Sequence, residues 1–298
     1  MLHRWRLGSL FGIGLYVHPT FLLLPLLLLW ESYQAGLGTV LFLEALLLTV
    51  FGCVVLHELG HALTARRYGI GTVDITLYPI GGVARLARTT GKPVEELWIA
   101  LAGPAVNVVI AAGLTPVYLI AKFQGLLGGS MEEALQAGGL PLTATFVAGL
   151  WFANVVLVLF NMLPSFPMDG GRVLRALLAM RLEPVRATAI AVFVGRVVLL
   201  GGLLLVGVFL PEYLEGNPML PILAVFVILV GQMELTAMRR REAARRAAVP
   251  VAPLPAVLPL ADCPVEPGFS GVTWDHRSGI GIHWQDGRPV GTFVVPVE

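Results

Sequence analysis

The chain has 298 residues, of which 56% are hydrophobic and 13% charged, with a net charge of +1 and a mean hydropathy of +0.81. A soluble domain carries about 25% charged residues, so this composition belongs in a bilayer. The net charge carries no signal for nucleic acid and no basic aromatic stripe points to one, so nucleic acid is not an expected partner. The two cysteines, Cys53 and Cys263, lie in an apolar run and a polar tail, which excludes a disulfide framework.

Spanning a membrane takes about 20 apolar residues. Six stretches meet this, near 10–30, 39–64, 97–121, 143–163, 187–210 and 219–238. The first carries Pro19 and Pro25, which predict a bend or break near its start. His18, beside Pro19, is expected to be a structural histidine more than a neighbour of any site. The second ends in His57-Glu58-Leu59-Gly60-His61, an H-E-x-x-H pattern. Histidines four apart share one helix face, so their rings can hold one Zn²⁺, and Glu58 beside them can take a proton from the attacking water. Ionisable residues at this depth are costly to keep, which marks them as functional. Cys53, four residues before His57, is expected to be a packing residue, with a ligand role as the lesser alternative.

After the second span, Val73–Tyr78 alternates like a strand, Pro79, Gly81 and Gly82 signal a turn, and Val83–Leu86 follows. This predicts a small hairpin or re-entrant loop whose open edge either holds an extended peptide or is an ordinary surface edge. The third span contains Ala102-Gly103-Pro104-Ala105-Val106-Asn107. Gly103 permits close helix approach, and Asn107 either reaches toward the site or makes a structural interhelical bond. The fourth span ends in Asn161-Met162-Leu163-Pro164-Ser165-Phe166-Pro167-Met168-Asp169-Gly170-Gly171-Arg172. Its prolines predict irregular backbone at membrane depth, which protein or a water-lined cavity must surround. At this level Asp169 can be a third zinc ligand, leaving one position for water. Arg172 and Arg175 are expected to be topology charges, with phosphate or carboxylate binding as the alternative. Arg196, in the fifth span, needs a partner or a path to the interface. Glu44 and Glu234 are expected to be structural.

Basic residues gather before the first span (Arg4, Arg6), after the second (Arg66, Arg67, Arg85, Arg88, Lys92), after the fourth (Arg172, Arg175, Arg181, Arg186) and after the sixth (Arg239, Arg240, Arg241, Arg245, Arg246). This alternation predicts both termini in the cytoplasm and the site toward the cytoplasmic side of a multi-pass cell-membrane protein. The expected domains are a transmembrane domain over 1–246, a Pro/Ala-rich linker over 247–267 and a small β-rich tail over 268–298. The tail is too small for its own core, so it is expected to dock, on the cytoplasmic face or on a second copy as a homodimer. The fold class is an α-helical polytopic membrane protein: six transmembrane helices, a small cytoplasmic β-hairpin and a short β-rich C-terminal tail.

These motifs together resemble the site-2 protease family of intramembrane zinc metalloproteases, over about residues 10–200. The resemblance rests on His57–His61, the Gly81-Gly82 loop, Ala102-Gly103-Pro104 with Asn107, and Asn161–Gly170 with Pro164 and Asp169. It implies zinc held by His57, His61 and Asp169, Glu58 as general base, and Asn161 helping to hold substrate or the transition state. The chain is most similar to six-span bacterial and archaeal members, without room in its tail for their paired nucleotide-binding CBS module and without a PDZ-sized insertion. The expected activity is hydrolysis of peptide bonds in or near transmembrane segments of membrane-protein substrates, with one zinc per chain. The alternatives are a proteolytically inactive scaffold, which the intact Glu58 disfavours, and a zinc transporter, which would carry ionisable residues along several spans rather than at one depth.

Overall fold

The computed structural model describes residues 4–88, 90–212, 217, 219–247, 267–275 and 280–294. Two compact units divide at residues 243 and 244. The first contains a four-stranded sheet and a helical bundle, and the second a three-stranded sheet. Among the described residues, five helices are long and apolar enough to cross a membrane.

The first expected span is the main departure. Residues 5–17 form strands β1 (Trp5–Leu10) and β2 (Ile13–Val17), joined by a two-residue turn in which Phe11 and Gly12 both have positive φ. That is the turn geometry whose twist suits a tight hairpin. Pro19 then starts a short 3₁₀ turn, capped by the His18 side chain, that leads into the ten-residue helix α1 (Leu23–Ser32). His18 is structural: it caps this turn and stacks on the Tyr78 ring.

Helix α2 (Leu37–Arg67) has 31 residues, or about 46 Å at about 1.5 Å per residue, longer than a bilayer core. It ends where Gly69 takes φ +71°, with Gly69 N–H bonded to the Arg66 carbonyl and Ile70 N–H to that of Ala65. This closure satisfies the helix's last carbonyls and turns the chain into the sheet. Strands β3 (Thr72–Tyr78) and β4 (Gly81–Leu86) form the expected hairpin. The hairpin is not free-standing, however. β3 pairs in parallel with β2, Gly14 opposite Asp74, giving the order β1-β2-β3-β4. The sheet lies on α2 through one buried cluster that includes Ile13, Val17, Val54, Leu59, Ala62 and Ile75. Asp74 is buried at its centre, accepting from Arg4 Nη1 at 2.8 Å and Arg85 Nε at 2.7 Å.

Helices α3 (Pro93–Phe123), α4 (Met131–Ala137), α5 (Gly139–Asn161), α6 (Asp169–Ala179), α7 (Pro184–Phe209) and α8 (Met219–Ala247) follow. As the prolines predict, residues 162–168 are irregular between α5 and α6. Arg175 is not a bare topology charge. It is largely covered on α6, its side chain 11% exposed, and paired with Glu96 of α3 and with Glu234 of α8 at 2.7 Å, over the Phe166 ring. Arg196 finds the Gln232 side-chain carbonyl of α8.

In the second unit, β5 (Gly271–Asp275), β6 (Ile280–Gln285) and β7 (Arg288–Val294) pair antiparallel in order. Asp286 and Gly287 form the tight turn between β6 and β7, and the Trp284 indole N–H donates to Thr273 Oγ1 at 2.6 Å. The expected linker, 247–267, lies outside the described residues except at its two ends.

Candidate metal centre

His57 and His61 sit one helical turn apart on the buried face of α2, their rings nearly perpendicular at 81°. Asp169 is the first residue of α6 and is buried against them. His57 Nε2, His61 Nε2 and Asp169 Oδ2 form a triangle with every edge 3.1 Å. Zinc bonds of 2.0–2.1 Å in a tetrahedron set ligand atoms about 3.3 Å apart, so the donor set and its spacing fit zinc. Among the described residues this is the one group of three such side chains close enough to share an ion. Three protein ligands leave a fourth position for water or substrate.

Each ring's other nitrogen is held. His61 Nδ1 lies 2.6 Å from the Ile99 carbonyl of α3, and His57 Nδ1 lies 2.6 Å from Asn107 Oδ1 of the same helix. Gly103 lies between these two positions on α3. A side chain there would run into Nε2 of both histidines, so only glycine lets α3 come this near.

Glu58, next in sequence to His57, reaches the sheet. Its Oε2 accepts the backbone N–H of Ala84 in β4 at 3.1 Å, and a Cβ on Gly82 would meet its side chain. Arg172 stands 3.8 Å from Asp169 Oδ1.

The fold therefore brings together His57, His61 and Asp169, with Glu58 adjacent, and Asn107 fills both of the roles open to it, facing His57 with its oxygen and bonding across to α5 with its amide. The Asn161 amide donates to the Leu157 carbonyl of its own helix at 2.9 Å. Cys53 is a buried free thiol outside the ligand triangle. The residue that sequence reasoning missed is Asn154 of α5, wholly buried, which accepts from the Asn107 amide at 2.9 Å. The one signal for it was an amide in the middle of an apolar span.

Residues 45–202 match the sequence profile of peptidase family M50. Zinc metalloprotease MJ0392 of Methanocaldococcus jannaschii is 35% identical over 214 residues, covering 70% of this chain and 57% of that protein. Rip3 of Mycobacterium tuberculosis is 34% identical over 224 residues, 71% of this chain and 52% of that one. The chain thus spans about half the length of the curated relatives it matches. The solved structure of a site-2 protease from Methanocaldococcus jannaschii superposes with a TM-score of 0.52 at 32% identity, covering 78% of this chain and 95% of that one. With its ligand triangle, its apolar helices and a profile match over more than half its length, the chain belongs to peptidase family M50, the site-2 protease family.

Proposed function

We propose that the chain is a zinc-dependent intramembrane endopeptidase that hydrolyses peptide bonds in or near transmembrane segments of membrane proteins, with one zinc per chain held by His57, His61 and Asp169. The observation that carries this reading is the 3.1 Å ligand triangle with Glu58 beside it, tethered to an edge strand of the sheet. Zinc held by His57, His61 and Asp169 would polarise the scissile carbonyl and acidify a water. Glu58 then takes the water's proton and delivers it to the leaving nitrogen. Asn161, whose amide rests on the Leu157 carbonyl, turns to donate to the oxyanion, a bond of the kind that forms only in the transition state.

A peptide bond inside a helix is hydrogen-bonded and shielded, so the substrate must unwind first. β4 ends the sheet, and an extended substrate pairing along that edge recovers backbone hydrogen bonds close to Glu58. We place both termini and the site toward the cytoplasm on the alternation of basic residues. The consecutive helical pieces from Pro19 to Ala35 reach about 25 Å at about 1.5 Å per residue, and we take them as the sixth, short crossing. The second unit is proposed to dock on the cytoplasmic face or to pair with its copy in a homodimer.

The test is zinc analysis and cleavage of a panel of membrane peptides by the purified protein, with Glu58→Gln as control. Glu58→Gln should keep its zinc and lose about 10²–10⁴-fold in rate. Wild-type turnover by that variant would sink the mechanism.

A further inference from the structure

We propose that Asn154 is a positioning residue of the metal centre: it fixes which way the Asn107 amide faces, and so sets the tautomer of His57. This rests on the zinc reading above.

The inference starts from an asymmetry. A side-chain amide can present oxygen or nitrogen to a neighbour by turning over, whereas a backbone carbonyl can only accept. The Leu150 carbonyl lies 2.9 Å from the Asn154 amide, so the group facing it must be the NH₂. The second N–H of that NH₂ faces the Cys53 sulfur at 3.5 Å. Asn154 Oδ1 is then left facing Asn107 at 2.9 Å, where it requires a donor. Asn107 must offer its own NH₂ there, which turns its oxygen to His57 Nδ1 at 2.6 Å. Nδ1 must therefore carry the proton. A neutral ring protonated at Nδ1 has its lone pair on Nε2, the atom that faces His61 and Asp169.

Both amides are 0% exposed, so no bulk water can take over either bond. His61 needs no such relay, because its Nδ1 meets the Ile99 carbonyl directly. His57 is thus the ligand whose tautomer depends on other side chains. Without Asn154, the Asn107 amide is free to turn, offer its NH₂ to Nδ1, and drive the ring proton onto Nε2, where it blocks the metal. The polarity of the chain is written by one carbonyl of α5 and read on α2 through α3.

The test compares Asn154→Leu, of similar size, in two backgrounds of the full-length protein in detergent, with zinc affinity measured by chelator competition and the ligand field by Co²⁺ absorption. Outer-shell losses cost about 10–100-fold in metal affinity, and that loss is expected for Asn154→Leu alone. In an Asn107→Asp background, residue 107 presents oxygen to His57 whichever way it turns. There Asn154→Leu should cause no loss of zinc affinity, since it also removes the contact between two facing oxygens at residues 107 and 154. A packing role for Asn154 predicts the same loss in both backgrounds, and that result, or wild-type affinity in the single variant, overturns the proposal. Wild-type protein that binds no zinc instead overturns the zinc reading itself. Should Asn154→Leu not fold, ¹⁵N spectra of histidine-labelled, metal-free wild type decide the matter: His57 protonated at Nδ1 supports the proposal, and protonation at Nε2 overturns it.

Discussion

Ala84 gives its backbone N–H to Glu58 Oε2 at 3.1 Å. Ala84 lies opposite Ile75 in the β3–β4 register, and its N–H is spent on the helix. A proline is tolerated in an edge strand where no ladder bond is lost. Ala84→Pro should therefore leave the sheet and the zinc content intact. Losing a hydrogen bond to a charged group costs about 1.5–3 kcal/mol, so cleavage should slow by about tenfold or more. Unchanged turnover, with zinc content measured on the same sample, would show that Glu58 needs no tether.

Gly103→Ala tests how tightly α3 is set against the ligands. The added methyl meets Nε2 of both histidines, so the helices must separate or the rings must turn. Either response breaks the triangle. Zinc content should fall by at least about tenfold, as it does for outer-shell losses, while helix content by circular dichroism stays. Normal zinc occupancy would mean that α2 and α3 pack with more room than described.

The sheet should be acid-sensitive through Asp74. The hydrogen bond from Arg85, against the opposing effect of burial and with help from Arg4, holds its carboxyl below the ordinary 3.8. A depressed folded value means the stabilisation is fully present above the ordinary carboxylate range and is lost as pH falls through the depressed one. Protection of the β3 and β4 amides against hydrogen exchange, relative to the unfolded-chain rate at the same pH, should therefore fall below about pH 4 in the wild type. Asp74→Asn should exchange faster at neutral pH and lack that acid step. An acid step of the same size in Asp74→Asn would assign it to another group.

Orientation can be read with single cysteines in a background lacking Cys53 and Cys263. Thr90→Cys, in the loop before α3, should stay unlabelled by a membrane-impermeant thiol reagent in intact cells, and Gly128→Cys, between α3 and α4, should label. The reverse pattern would invert the orientation proposed above.

The candidate ligands were legible because metal chemistry constrains spacing: His57 and His61 share a face by helical period, and Asp169 follows a proline-broken span. Asn154 was not legible, because its meaning comes from a bond to a residue 47 positions away, and nothing local distinguishes it from an amide that only joins helices. The stretch from Ile13 to Val17 reads as the start of a span because a short apolar run does not separate strand from helix by periodicity. What makes it a strand is pairing on both sides, with β1 across the Phe11-Gly12 turn and with β3, its parallel partner beyond two helices. The β3–β4 hairpin and the three tail strands were readable from alternation and turn residues, since hairpins are local.

The Arg175–Glu96 pair bears on how the centre behaves when empty. Their side chains are 11% and 15% exposed. Breaking so largely desolvated a pair strands a charge with little solvent around it, which holds α6 against α3. α6 begins with Asp169, and α3 carries both the Asn107 amide and the Ile99 carbonyl. The two shells of the centre are thus bolted together by an ion pair that has no part in coordination. Small zinc domains that collapse under chelators fold around their ion; here α3 and α6 are joined by an ion pair that does not depend on one.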